Sequence, residues 1–264
     1  MSYRKIFSVV NEHTVSTVTA RYAIALAAES KAELVLYASH DEKCSEIVLR
    51  NTDRHLEHLL TAASVLEISV TRITEIGNTR KMLPKRVKAD KADLVLYPLT
   101  PDERYGAGLQ RHTVHHLLKT ISSDLVIIRA ISMAKPHPGH ILVPLGKVIS
   151  DMGHRLMFIT ELALSFHSQV TLFHLPAAHE EKAAPDEITR FRTELQKKHV
   201  TVLERSGRGE LGKAITVEAI TRRNDLIVLG ASERGVLRRL FIGNPAGDVM
   251  HHPPCNTILF RAAP

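Results

Sequence analysis

Slid against itself by 132 residues, the chain brings otherwise unrelated features into coincidence: Gly77 falls on Gly209 and Lys81 on Lys213. Asp93-Leu94-Val95-Leu96 falls on Asp225-Leu226-Ile227-Val228, and Val126-Ile127-Ile128-Arg129-Ala130 on Ile258-Leu259-Phe260-Arg261-Ala262. Nearer the start of each half the shift drifts to about 135, with Ile6-Phe7-Ser8-Val9-Val10 against Ile141-Leu142-Val143-Pro144-Leu145, as small loop insertions produce. Such self-similarity in 264 residues is expected of a duplication, with two copies of one domain in tandem. Residues 130–139, Ala-Ile-Ser-Met-Ala-Lys-Pro-His-Pro-Gly, suit an exposed connector, so the expected domains are 1–134 and 135–264.

Within each half, short apolar runs alternate with segments of helical period, the signature of repeated βα units and a parallel sheet. The expected strands are Lys5 to Val10, Glu33 to Tyr37, Leu66 to Thr71, Leu94 to Tyr97 and Asp124 to Ile128, then Ile141 to Leu145, Val170 to His174, Val200 to Leu203, Leu226 to Leu229 and Thr257 to Phe260. Inward helix faces are expected at Val15, Val18, Tyr22 and Leu26, at Leu156, Ile159, Ala163 and Phe166, at Ile188, Phe191 and Leu195, and at Leu211, Ala214, Ile215 and Ala219. Runs such as LVLY and LIVL are apolar throughout, which demands cover on both sides of the sheet. The expected fold class is α/β: two tandem doubly wound, Rossmann-like domains, each a five-stranded parallel sheet with helices on both faces. Ligands of such sheets bind beyond the carboxyl ends of the strands, where the winding reverses and helix N-termini present amides to anions.

Apolar residues make up 44% of the chain and charged residues 24%, an ordinary globular balance that excludes extensive disorder. No run reaches the roughly 18 to 20 apolar residues of a bilayer span, and the opening MSYRKIFSVVNEH lacks the apolar core of a secretory leader. The expected compartment is the cytoplasm. Cys44 and Cys255 stand at non-equivalent places, so free thiols are expected. The net charge of +7 permits anionic partners, but basic residues are spread without aromatic interleaving and Trp is absent, so nucleic acid is not an expected partner. His112 with His116, His55 with His58, and His251 with His252 each lack the further ligands of a metal centre. No nucleophile elbow, Walker loop or His-Glu zinc motif is present, and no catalytic residue is assigned.

After the fourth strand of the second half comes Gly230-Ala231-Ser232-Glu233-Arg234-Gly235, then Gly243-Asn244-Pro245 and, at the entry of the last strand, His252-Pro253-Pro254-Cys255. This stretch resembles the universal stress proteins, whose nucleotide-binding members carry Gly, two residues, Gly, nine residues, Gly and then Ser or Thr. Gly230 matches the first glycine and Gly243 the last, while Glu233 replaces the middle glycine and Asn244 the hydroxyl residue. The chemistry favours glycine because backbone amides must approach a phosphate, and a small polar residue at the helix start caps it. Gly146 stands where those members place an aspartate after strand one. In the first half Asn11, Pro98 and Arg111 occupy the matching places, so that half is read as nucleotide-silent.

The resemblance implies a stress-response regulator that binds an adenine nucleotide, ATP, ADP or AMP, in its second domain, with no metal beyond a magnesium ion accompanying the nucleotide. The implied site comprises Pro144, Leu145, Gly146 and Leu175 beside the base and Gly230, Ala231, Ser232, Gly243, Asn244 and Pro245 around the phosphates. Hydrolysis would be slow at most, with no general base apparent. The alternative is a protein-interaction module with lapsed pockets that acts through dimerised edge strands, Val126 to Ile128 and Thr257 to Phe260. Protein partners or self-association accompany either reading. The nucleotide site requires the first and fourth strands of the second copy to lie side by side.

Overall fold

The computed structural model describes residues 2–100, 111–131, 137–176, 186–231, 249–250 and 252–264. They form two compact units, Met1–Ala130 with Arg261–Pro264, and Ile131–Phe260. The first unit runs β1 (Lys5–Val9), α1 (Thr14–Ser30), β2 (Glu33–His40), α2 (Glu46–Ser64), β3 (Val70–Ile76), α3 (Thr79–Ala89), β4 (Leu94–Pro98), α4 (Arg111–Thr120) and β5 (Asp124–Arg129). Its strands pair in parallel in the order β3-β2-β1-β4-β5.

The second unit runs β6 (His140–Pro144), α5 (Met152–Phe166), β7 (Gln169–His174), α6 (Asp186–Lys197), β8 (Val202–Ser206), α7 (Leu211–Thr221), β9 (Leu226–Gly230) and β10 (Asn256–Arg261). Here the parallel order is β8-β7-β6-β9-β10. In both units the chain winds outward one way from its first strand and then returns to the other side of it. Right-handed crossovers then put the first two helices on one face and the later ones on the opposite face. Adjacent residues of β8 register this: Glu204 pairs with Arg192 of α6, while Arg205 pairs with Glu218 of α7.

The strands with the longest apolar runs hold the core. Leu94, Val95 and Leu96 of β4 are fully buried, as are Leu226 and Ile227 of β9, because helices cover both sides of the sheet. Phe158 of α5 stacks on Phe260 of β10 with ring centroids 4.8 Å apart. Gly77 and Gly209, the glycines that coincide in the sequence, both adopt positive φ, 140° and 90°, just before α3 and α7. Non-glycine residues in the left-handed region recur in the same way: Lys31, Glu67 and Lys91 in the first unit, His167, His199 and Arg223 in the second.

The third strand of each unit departs from expectation. The apolar Leu66 proposed to open it is 50% exposed, and β3 starts at Val70; β8 starts at Val202 rather than Val200. Both strands stand at the end of their unit's order, where one side lacks a neighbour, and their residues are correspondingly polar. In α5 the buried stripe is Phe158, Ile159, Leu162 and Ala163, turned slightly from the expected Leu156 and Phe166, which are half-buried. Arg261–Pro264 pack with the first unit, not with the half of the sequence they follow.

Candidate functional site

The sheet register fixes which residues of the second unit meet at its carboxyl edge. β6 pairs with β9, Ile141 opposite Leu226 and Leu142 opposite Ile227, so the turn after β6 and the turn after β9 are neighbours. Carried forward, that register sets Leu145 level with Gly230. The β6–β7 and β7–β8 registers add His174 and Ser206 to the same row. Because Glu204 of β8 faces α6, residues two positions on, and those level with them, face the α5 and α6 side. Leu145 and Gly230 therefore share that face, whereas Pro144, Leu175 and Ala231 alternate onto the α7 face. Leu145 is buried, Pro144, Leu175, Gly230 and Ala231 are half-buried, and Gly146 is exposed. Ser232, Gly243, Asn244 and Pro245 lie outside the described residues.

Gly230 has a packing partner that its glycine motif did not foretell. A Cβ built there would collide with the Nη2, Cζ and Nε atoms of Arg155, whose guanidinium lies across the strand end. Burial pulls the Arg155 pKa down to about 10, against the opposing effect of Asp151. His174 is 3% exposed, and among the described residues neither ring nitrogen has a hydrogen-bond partner. Burial, with Asp225 adding to it, pushes the Cys255 thiol up to about 12, which favours its protonated form.

On the α7 face of the second unit the space beside Gly207 is filled: a Cβ there would strike Phe173 Cζ and come within 3.0 Å of Leu175 Cδ2. The first unit is open at the corresponding edge. A cavity of about 450 Å³ lies there, with the N-cap residues of α1, α2 and α3, His13, Ser45 and Asn78, in its wall. Ser39, where the second unit has Leu175, also lines it, as do Lys43 and Arg80. Its walls hold one another: Ser39 Oγ and Thr79 Oγ1 are 2.7 Å apart, and the Asn78 side chain accepts the Arg80 N–H at 3.0 Å. Glu12 and Asp41 line it as well and offset the charge of Lys43 and Arg80, so it is the helix N-termini around a space of this size that suit an anionic small molecule.

Residues 163–261 match the family model described as the Universal stress protein family. This stretch is a universal stress protein domain. None of the curated proteins matches the chain. Three solved structures resemble it over nearly its whole length. A universal stress protein from Archaeoglobus fulgidus DSM 4304 is 10% identical, over 99% of this chain and 97% of its own, with a TM-score of 0.70. A functionally unknown protein from Pseudomonas aeruginosa PAO1 is 15% identical, over 99% and 93%, at 0.69. The cytoplasmic domain of a prokaryotic cation chloride cotransporter is 9% identical, over 100% and 96%, at 0.66. At such identities the likeness is one of fold, and the third shows the same fold within a transport protein.

Among the described residues no three His, Cys, Asp or Glu side chains gather as metal ligands, and no helix is long and apolar enough to cross a membrane. Arg155, His174 and the first-unit cavity were not singled out from the sequence. Arg155 did leave a trace: it stands three and four residues before the apolar Phe158 and Ile159, a charge at the head of an inward stripe.

Proposed function

We propose that the protein is a regulator that binds an adenine nucleotide at the carboxyl edge of its universal stress protein domain, through the turns at Leu145-Gly146 and Gly230-Ala231 and the segment from Ser232 to Pro245. The observation that supports this reading is the pairing of β6 with β9, which makes the two turns neighbours, as ligand binding at the carboxyl edge of such a sheet requires. Protein partners receive the signal in this reading, and any magnesium arrives with the nucleotide. Calorimetry and thermal melts of the full chain with ATP, ADP and AMP test it. Binding is expected to raise the melting temperature, with both effects lost in Gly243→Leu; no heat and no shift at millimolar nucleotide end the reading.

The open cavity favours a second reading, in which the nucleotide sits in the first unit although its glycine loop is lost. Ser39→Leu, which copies Leu175 into that cavity, separates the two. Loss of binding in Ser39→Leu with binding intact in Gly243→Leu assigns the ligand to the first unit.

A further inference from the structure

The Arg155 side chain of the second unit has no hydrogen-bond acceptor among the described residues. Arg155 belongs to the first turn of α5, directly before the fully buried Phe158 and Ile159. Helical side chains lean toward the N-terminus of their helix, which carries the guanidinium to the carboxyl edge of the sheet, where it rests on Gly230. Among the described residues no oxygen accepts a hydrogen bond from it, and Asp151 acts on it only at longer range. A guanidinium drawn partly out of water without an acceptor is costly, and the depressed pKa of Arg155 reflects that cost.

Three features of the same place point the same way. Asp151, the N-cap of helix α5, is left-handed (φ 52°) and its side chain makes no cap hydrogen bond. Open space surrounds Gly153 in that first turn. His174, almost fully buried and with both ring nitrogens unpartnered among the described residues, lies in the row of Leu145 and Gly230 and on their face. Among the described residues the first unit has no counterpart of Arg155. Counting back from the left-handed caps Lys31 and His167, Thr19 takes the place of Arg155, with its hydroxyl on Val15 O, and Pro98 takes the place of Gly230.

We propose that the start of α5, Arg155 and the flanking His174 form an oxyanion subsite on the α5 side of the sheet edge, the face opposite Pro144, Leu175 and Ala231, which takes the phosphoryl or carboxylate group of a small molecule. The planar fork of Arg155 supplies charge and paired donors, the N-terminus of α5 adds the positive end of the helix dipole, and the imidazole adds a donor from below. The ligand need not be a nucleotide, so the subsite stands or falls apart from the reading above.

Inorganic phosphate, acetate and AMP, each titrated into the full chain in chloride buffer, test it by calorimetry and melting temperature. Phosphate is expected to bind the wild-type chain, at least tenfold more weakly in Arg155→Gln and with partial recovery in Arg155→Lys. Gly230→Ala, which keeps the charge but evicts the guanidinium from its seat, is expected to weaken phosphate as Arg155→Gln does. Binding of phosphate without acetate assigns the subsite to phosphoryl groups; binding of both assigns it to oxyanions generally. Phosphate that leaves the wild type unchanged, or binds Gly230→Ala or a folded Arg155→Gln undiminished, overturns the proposal. AMP binding that is indifferent to both substitutions while phosphate is silent sinks the subsite and leaves the nucleotide reading standing. Phosphate binding that AMP does not improve on does the reverse.

Discussion

Two glycines of the second unit occupy crowded positions, and the difference between their neighbours sets different costs for adding one methyl group. At Gly230 the obstacle is the end of a flexible arginine, which can swing outward, so Gly230→Ala is expected to cost only about 1 kcal/mol. At Gly207 it is the ring of Phe173, itself 2% exposed, together with Leu175, so Gly207→Ala is expected to cost about 2 to 3 kcal/mol. Urea denaturation of the two variants measures the difference, and equal costs would refute this account of the crowding. Combining Arg155→Ala with Gly230→Ala should recover most of the Gly230→Ala loss, because residues in direct contact do not add. Gly230 was legible in the sequence as a motif glycine, but its packing role was not. Nothing in a linear motif shows which side chain of a distant helix will lie across it.

At the scale of elements, the strands buried on both faces were legible because burial demands apolar runs: Leu94 to Tyr97 and Leu226 to Leu229 lie within strands at those positions. The third strands were not, because a strand at the end of its unit's order can be polar, and β3 spends its residues on side-chain links instead. Glu75 of β3 accepts the Tyr37 hydroxyl from β2 at 2.8 Å and holds Arg86 of α3 through Nε at 2.8 Å. Its side chain is only 14% exposed, and burial followed by the Glu75 contact keeps the Tyr37 phenol above its usual pKa. Three elements thus converge on one carboxylate. Glu75→Gln retains the size but not the charge and is expected to cost about 1 to 2 kcal/mol, read as a lower urea midpoint with an unchanged slope. A midpoint shifted by less than the experimental error would show that the link contributes nothing and that packing alone docks β3.

At the scale of the molecule, the sequence repeat suggests two self-sufficient halves, yet the first unit includes residues from the far end of the sequence. Asp124, 1% exposed at the start of β5, accepts the Tyr3 hydroxyl at 2.9 Å and the Ala263 N–H at 2.7 Å. Arg261, also buried, donates through Nη2 to the Ile121 carbonyl at 2.7 Å. The repeat could not reveal this, since self-comparison aligns Arg261 with Arg129 and says nothing about which unit either completes. Removing residues 261–264 takes one N–H donor from a buried carboxylate and one guanidinium from a buried carbonyl. Each loss of a partner by a buried polar group costs about 1 to 3 kcal/mol, and a charged group stands at the upper end. The truncated chain is therefore expected to unfold its first unit at distinctly lower urea while the second unit keeps its midpoint, followed by hydrogen exchange of β1 and β5 against β6 and β7. Asp124→Asn should reproduce part of that loss in the full chain, because the weakened acceptor still faces Tyr3 and Ala263. Equal weakening of both units would instead mean that the two unfold as a single cooperative body, and the assignment of residues 261–264 to the first unit would lose its energetic meaning.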